Sequence, residues 1–397
     1  MRHIARSWNC WPSVSRRIRC GLRLSAAVVA LALASACGGG KPTQGPSAAR
    51  TGPQFDAEKI LNVYSWTDYI APDTVANFER ETGIVVRYDT YESNEVLETK
   101  LLTGHTNYDI VIPTDTFFER LLHAGVFRRL DPDELTNRSN LDADIMQRLA
   151  LHDPGNAHGV PYLWSTVGIG YNVAKLRERL GPTAPDSWSV LLEPTNAAKL
   201  ADCGISVIDS PPDVFAAALL YLGRDPNSFD PRDAADVAAV LMKLRPYIRM
   251  IESTQDISDL ANGSLCLTLG WSGDILQARA RAREAANGVQ IAYFLPREGS
   301  VLTTDMMGIP ADAPHPHNAE QWMNYLMRPD VIAAVTNAVK YPNGNSASLP
   351  FVSEAIKGDP SIYPSAAARA HLHAMFAQPP EYSRLMTRIW TRFRTGE

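Results

Sequence analysis

The stretch Asn62–Tyr69, with the sequence Asn-Val-Tyr-Ser-Trp-Thr-Asp-Tyr, decides the fold class of this chain. Its first apolar residues continue the run Ile60-Leu61 and are typical of a short buried β-strand. A helix is predicted to begin near Pro72. Because ligands bind at the carboxyl ends of strands in open α/β sheets, the segment Trp66-Thr67-Asp68 lies where a ligand-binding loop is expected.

A second stretch, Gly270-Trp-Ser-Gly-Asp274, repeats this chemistry after the apolar run Leu265–Leu269. Taken alone, the stretch favours Trp66 and Tyr69 as core aromatics and Asp68 as a solvated turn residue. Two strand ends that each carry an aromatic, a hydroxyl and a carboxylate favour a single cleft that both strand ends face.

The length of the chain and its N-terminal segment limit the possible domain organisation. With 397 residues, 45% of them hydrophobic, the chain is long enough for two lobes of roughly 100 to 200 residues each. Residues 1–36 contain arginines followed by the apolar run Leu24–Leu33, which is typical of a secretory signal peptide. The small residues before Cys37 favour lipidation of that cysteine, and ordinary cleavage after Ala36 is the alternative. Residues 37–56 are predicted to be a flexible tether.

The charge of the exported part is strongly acidic. Residues 1–36 carry six arginines and no acidic residue, so the rest of the chain has 32 basic and 43 acidic residues and a net charge of −11. An acidic exported protein suits a cationic ligand and argues against nucleic acid.

Two cysteines remain beyond Cys37, namely Cys203 and Cys266. In an oxidising compartment two such thiols are interpreted as a disulfide. A metal pair is the weaker alternative, because no histidine or further cysteine lies at ligand spacing around either residue.

Short apolar runs alternate with helical periodicity along the chain, which predicts an α/β fold. Residues 57–160 with about 297–330 are predicted to form lobe 1, and residues 161–296 with about 331–397 to form lobe 2. Gly168-Ile-Gly170 lacks the third glycine of a dinucleotide-binding fingerprint and is interpreted as a closely packed strand. Ser365–Thr395 has a helical pattern.

Polar side chains gather at the predicted strand and loop ends. They are Trp66, Thr67, Asp68, Thr114, Asp115, Thr116, Asp213, Trp271, Asp274, Asp305 and Tyr341. Carboxylates and aromatic rings suit an ammonium ligand, whereas an anion would require arginine or free helix N-termini. For Asp115 and Asp213, a role as a helix cap or turn residue is an equal alternative.

Catalysis is not indicated by these residues. A glycosidase pair of carboxyl groups is possible in principle, but no glutamate lies at these strand ends. Serine or cysteine catalysis is not supported either, since no nucleophile elbow is visible and none of the nine histidines falls there. A binding protein without metal or cofactor is therefore predicted.

Six segments in order resemble the polyamine-binding proteins of bacterial ABC transporters, above all the putrescine-binding type. They are Asn62–Pro72, Ser93–Glu98, Tyr108–Val111, Gly168–Asn172, Gly270–Asp274 and Met327–Asp330. The resemblance runs from about Ile60 to the C-terminus.

The resemblance implies a two-lobed periplasmic binding protein fold of type II, with a ligand cleft between the lobes that closes on a linear polyamine. The implied ligand contacts are Trp66, Thr67, Asp68, Thr114, Asp213, Trp271, Asp274, Asp305 and Tyr341. It also implies that Cys203 and Cys266 form the disulfide of the putrescine-binding members.

This chain departs from the family pattern at positions that bear on specificity. Thr303 stands where relatives place an aromatic residue, and Thr116 is likewise not the aromatic of spermidine binders. Thr67 and Thr114 replace serines, and Asp213 replaces a glutamate. The choice among putrescine, cadaverine, agmatine and spermidine therefore stays open.

The resemblance further implies a periplasmic monomer, lipid-anchored if Cys37 is modified. Such a protein delivers its ligand to an inner-membrane ABC permease driven by an ATPase. A periplasmic polyamine sensor that signals to a membrane receptor without transport is the alternative.

Overall fold

Residues 52–397 are described by the structure, a computed structural model, and ten β-strands within them form one hydrogen-bonded sheet. The predicted signal peptide, Cys37 and most of the predicted tether lie outside the described residues. The strands are β1 (Ile60–Trp66), β2 (Val85–Tyr91), β3 (Ile110–Val111), β4 (Gly159–Asn172), β5 (Ile205–Val207), β6 (Met250–Ile251), β7 (Leu267–Trp271), β8 (Ile291–Phe294), β9 (Ser300–Gly308) and β10 (Leu372–Ala374).

The helices fill the segments between these strands, as the alternating pattern predicts. They are α1 (Thr74–Thr82), α2 (Asn94–Thr103), α3 (Asp115–His123), α4 (Ala143–Leu149), α5 (Val173–Leu180), α6 (Ser189–Leu192), α7 (Pro194–Leu200), α8 (Pro211–Tyr221), α9 (Pro231–Leu244), α10 (Gln255–Ala261), α11 (Ser272–Glu284), α12 (Pro316–Leu326), α13 (Pro329–Val339), α14 (Glu354–Lys357), α15 (Ala366–Arg369) and α16 (Pro380–Thr395). Three 3₁₀ turns accompany them, at Thr136–Asn140, Arg245–Tyr247 and Ser346–Phe351.

The strand order is β2-β1-β3-β9-β4-β7-β5-β6, with β10 on β9 and β8 on β4. In the first lobe β1 lies between the parallel neighbours β2 and β3. Leu61 and Val63 of β1 are completely buried, which explains the apolar run at the start of the stretch Asn62–Tyr69 and just before it. In the second lobe β5 lies parallel to both β6 and β7.

Two long strands, β4 and β9, pass from one lobe to the other. The first half of β4 pairs with β9, and its second half pairs with β7 and β8. Gly168 and Gly170 lie in this second half. A Cβ on Gly168 would be 2.5 Å from the Tyr293 ring and one on Gly170 would be 2.7 Å from Ile275. The glycines thus permit close packing, as predicted.

Each lobe has its own hydrophobic core. One cluster of buried residues joins β1, β3 and the helices α12 and α13, and another joins β5, β7, α8, α9 and α16. In contrast to the predicted division at about residue 331, Val331, Val335 and Val339 of α13 pack in the first of these clusters. The other predicted boundaries stay predictions.

The predicted continuous helical pattern of Ser365–Thr395 is wrong in its middle. The chain forms the short helix α15, then β10, which pairs with β9, and only then α16. Pro379 and Pro380 lack a backbone N–H, so a helix cannot continue through them, and Pro380 instead opens α16.

The predicted disulfide is confirmed, since Cys203 and Cys266 are bonded beside β5 and β7. No helix within residues 52–397 is long and apolar enough to cross a bilayer.

Candidate ligand-binding site

The carboxyl end of β1 supplies one aromatic wall of a cleft between the lobes. Trp66 ends this strand, and its Nε1 donates to the carbonyl oxygen of Ile112, 2.9 Å away, which fixes the indole. Across the cleft lies the indole of Trp271, which ends β7 in the second lobe. The two ring centroids are 6.2 Å apart in an edge-to-face arrangement. The two stretches that share the aromatic, hydroxyl and carboxylate pattern therefore do face each other.

Asp68 follows in the left-handed backbone region, with φ of 53°, which aspartate tolerates better than most residues. Its carboxylate accepts a hydrogen bond of 3.0 Å from Nη2 of Arg281 on α11. This ion pair joins the first lobe to the second at the rim of the cleft.

The first lobe contributes a buried carboxyl group from β9, that of Asp305. Its exposed fraction is 7%. Its Oδ2 accepts a hydrogen bond from the hydroxyl of Tyr69, whereas Oδ1 has no partner among the described residues. Burial raises the pKa of Asp305 to about 8, and the bond from Tyr69 offsets part of that shift.

Thr114 is held beside Asp305 by a β-bridge and by two hydrogen bonds with Asn94. Its backbone forms an isolated β-bridge with Asp305. Its side chain accepts from Nδ2 of Asn94 at 3.1 Å, while its N–H donates to Oδ1 of Asn94. The hydroxyl is thereby oriented at the cleft wall.

The second lobe contributes Asp274, in the first turn of α11. Its Oδ1 accepts a hydrogen bond of 2.8 Å from the hydroxyl of Tyr341, which belongs to the first lobe's core. Burial, together with the negative charge of nearby Asp256, raises the pKa of Asp274 to about 8. Two buried carboxyl groups with raised pKa values thus lie in this cleft, one from each lobe.

Eight of the nine predicted ligand contacts line one cavity of about 80 Å³, and Asp213 does not. The carboxylate of Asp213 is buried behind Trp271, where Oδ2 accepts from the indole Nε1 at 3.0 Å and from Ser210 Oγ at 2.8 Å. Burial raises its pKa to about 6. Asp213 thus orients the Trp271 ring in this structure.

Asp115 and Thr116 also lie outside the cavity lining. The buried carboxylate of Asp115 accepts from the N–H groups of Thr116 and Thr304, at 2.8 and 3.0 Å. Asp115 therefore stabilises the first turn of α3 and the contact of this turn with β9. This agrees with the alternative role as a helix cap or turn residue that was considered for it.

Other lining residues had not been assigned to the ligand from the sequence. They are Tyr69, Tyr91, Glu92, Ser165, Ser253, Thr254, Ile257 and Thr303. Thr303 had been identified from the family resemblance as a position that bears on specificity, and it lies two residues before Asp305 on one strand, where residues share a face. Ser165 required the pairing register of β4 with β9, which no local pattern gives.

The lining as a whole suits a cation. It contains the acidic residues Asp68, Glu92, Asp274 and Asp305, and no lysine, arginine or histidine is among the described residues that line it. Aromatic rings of Trp66, Trp271 and tyrosines provide walls for an apolar chain. Within residues 52–397, no group of three or more histidine, cysteine, aspartate or glutamate residues could hold a metal ion.

The fold and this cleft define a two-lobed binding protein for a small solute. The chain matches the bacterial extracellular solute-binding proteins over residues 73–364 and belongs to that family. This membership confirms the predicted fold class and the prediction of a binding protein rather than an enzyme.

Individual relatives are similar over nearly their whole length. The putrescine-binding periplasmic protein PotF of Escherichia coli is 49% identical over 342 residues, covering 86% of this chain and 92% of that protein. The putrescine-binding periplasmic protein SpuD of Pseudomonas aeruginosa is 46% identical, covering 85% and 93%. A crystal structure of the spermidine/putrescine ABC transporter substrate-binding protein PotD of Streptococcus pneumoniae superposes with a TM-score of 0.71 at 26% identity, covering 85% and 99%. The predicted family resemblance is confirmed.

Proposed function

We propose that this protein captures a polyamine, with a putrescine-like diamine as the foremost candidate, and delivers it to an ABC permease. The observation that carries the proposal is the pair Asp274 and Asp305. The two lobes each contribute one of these carboxyl groups to a single aromatic cleft whose lining has no basic side chain. Ammonium groups form charge-assisted hydrogen bonds with carboxylates, and their methylene chain packs on aromatic rings.

The proposed mechanism is hinge closure. The ligand enters between the lobes, and closure excludes water while Trp66 and Trp271 approach its chain. The proposed ligand contacts are Trp66, Thr67, Asp68, Thr114, Asp213, Trp271, Asp274, Asp305 and Tyr341. For Asp213 the contact is indirect, through the ring of Trp271.

The names of PotF and SpuD as putrescine-binding periplasmic proteins support a periplasmic location and this ligand class. They do not favour the sensor alternative. We also propose residues 1–36 as signal peptide, lipidation at Cys37, a monomer, and the predicted lobe boundaries with α13 assigned to the first lobe. A Cys37→Ala variant that stayed membrane-bound would contradict the lipid anchor.

The proposal is tested by calorimetric titration of the protein with putrescine, cadaverine, agmatine and spermidine, and with glutamate as an off-class control. One amine should bind with one-to-one stoichiometry, and glutamate should not bind. Binding of glutamate alone, or of nothing, would overturn the proposal.

The variant Asp274→Asn tests the site itself. In this variant one ammonium of the bound ligand has no carboxylate partner in the closed cleft. The binding free energy should weaken by on the order of 2 to 5 kcal/mol, which corresponds to a loss of affinity of roughly 30-fold to several thousand-fold. Asp236→Asn is the matched control, because Asp236 lies on α9 with a half-exposed side chain. Unchanged affinity in the Asp274 variant would show that the site is assigned wrongly.

A further inference from the structure

The cleft wall next to Asp305 carries a pair of hydroxyl groups. Ser165 of β4 and Thr303 of β9 are paired across the antiparallel ladder. Their oxygens Oγ and Oγ1 lie 3.2 Å apart and share one hydrogen bond. Both residues line the cavity, although they are only 5% and 8% exposed. Each therefore presents a polar oxygen to a part of the cleft that is largely shielded from solvent.

These hydroxyls lie beside an incompletely used carboxyl group. Thr303 and Asp305 are two residues apart on β9 and project from the same face. Oδ1 of Asp305 is buried without a partner, while Oδ2 is occupied by Tyr69. A hydroxyl oxygen that joins one hydrogen bond still has acceptor capacity. The free Oδ1 and the two hydroxyls thus form a row of acceptors along the wall.

We infer that Ser165, Thr303 and Asp305 form a subsite for a guanidinium head group, so that the protein binds, besides a diamine, an amine with a guanidinium at one end and an ammonium at the other. This inference rests on the proposed function, since it assumes that the cleft takes cationic amines. It assigns the guanidinium to the first-lobe wall and leaves the ammonium for Asp274.

The inference depends on the number and geometry of the hydrogen-bond donors of the ligand. A guanidinium presents five N–H groups in a planar fork. A single free carboxylate oxygen cannot accept hydrogen bonds from all of them. In a closed cleft each unmet donor is costly, so the neighbouring hydroxyls stabilise this head group. A diamine places an ammonium with only three N–H groups at Asp305, so fewer donors remain for the neighbouring hydroxyls.

The inference is tested by titrating wild type, Thr303→Val and Ser165→Ala with 4-guanidinobutylamine (agmatine), putrescine and spermidine. Valine keeps the shape of threonine and removes only the hydroxyl. A hydrogen bond to a charged group corresponds to about tenfold or more in affinity. Each variant should therefore lose about tenfold in agmatine affinity and less than about threefold in putrescine affinity.

Retained putrescine binding also shows that a variant has folded and can close. Thr304→Val is the control on the same strand, because Thr304 is buried and is not part of the cavity lining. It should leave the ratio of agmatine to putrescine affinity unchanged.

The possible outcomes separate this inference from the proposed function. If no amine binds to the wild type, the proposed function fails. If amines bind but the ratio is the same in wild type, Thr303→Val and Ser165→Ala, only the guanidinium subsite is overturned. If the variants lost affinity only for spermidine, the subsite would also be overturned, since the hydroxyls would then bind the secondary amine within the chain of that ligand.

Discussion

Gly273 lies so close to Tyr341 that a Cβ on the glycine would be 2.0 Å from Cδ2 of the tyrosine ring. The glycine is in the first turn of α11, in the second lobe, and the tyrosine belongs to the first lobe's core. The absence of a side chain at residue 273 thus permits the contact between the lobes, beside the hydrogen bond from Tyr341 to Asp274.

We predict that Gly273→Ala blocks closure without unfolding the protein. Alanine is favourable within a helix, so each lobe should keep its fold, but the lobes should no longer meet. Polyamine affinity should fall at least about a hundredfold, since a clash of this size costs several kcal/mol. Titration calorimetry measures the loss, and small-angle scattering should show a protein that no longer compacts with ligand.

Gly270→Ala is the matched control for this prediction. A Cβ on Gly270 would make ordinary contacts of 3.4 to 3.7 Å, all within the second lobe. This variant should bind normally. Normal binding by Gly273→Ala as well would mean that the two lobes do not need this contact.

The cleft was largely predictable because its main residues follow strands. The ends of β1 and β7 carry local patterns of aromatic, hydroxyl and carboxylate, and ligands bind at the carboxyl ends of strands in open α/β sheets. The orientation of Asp213 was not predictable. Whether its carboxylate faces the cleft or the Trp271 indole depends on where α8 lies relative to the end of β7, and no local pattern encodes that placement.

Contacts between distant parts of the sequence also explain the other features that the sequence did not predict. The hydrogen bond from Tyr69 to Asp305 joins residues 236 apart in the sequence. In the C-terminal part, the helical pattern is interrupted because Leu372–Ala374 finds a partner in β9. Tertiary pairing overrides local propensity in such short segments.

The ion pair between Asp68 and Arg281 should tighten closure only modestly. Their side chains are 58% and 41% exposed, and exposed pairs contribute at most about 1 kcal/mol. Arg281→Ala should therefore weaken polyamine binding by less than about fivefold, with a smaller effect at high salt. Stopped-flow dissociation rates are the measurement, and Arg283→Ala on the same helix is the control.

A double-mutant cycle with Asp68→Asn separates the two roles of this aspartate. If Asp68 only pairs with Arg281, the double variant should be no weaker than either single variant. A further loss in the double variant would mean that Asp68 also contacts the ligand. A single Arg281 variant weakened a hundredfold would contradict the modest contribution assigned to the pair.

The disulfide should stabilise the second lobe without affecting binding. Cys203 and Cys266 are 63 residues apart, and both are buried in the second lobe's core. Replacing both by alanine should lower the free energy of unfolding by about 2–4 kcal/mol, because the unfolded chain regains conformational freedom. Urea denaturation measures this change, and polyamine affinity at low temperature should stay within about twofold. A large loss of affinity in the folded variant would contradict this separation.

Binding should release protons, because burial in the ligand-free cleft raises the pKa values of Asp274 and Asp305 to about 8. A bound ammonium stabilises the ionised carboxylate, so affinity should increase as the pH rises toward about 8. The increase is at most about tenfold per pH unit for each proton released. Above about pH 8 the gain should end.

The same groups act on the stability of the free protein in the opposite direction. Their folded pKa values lie above the ordinary value of 3.8, so between about pH 4 and 8 the folded chain holds protons that the unfolded chain has lost. The contribution of these carboxyl groups to the free energy of unfolding therefore decreases as the pH rises through this window. Calorimetry in two buffers of different ionisation enthalpy counts the released protons, and Asp305→Asn should release one fewer. Binding without proton release at pH 6 would show that both carboxyl groups are already ionised in the free cleft.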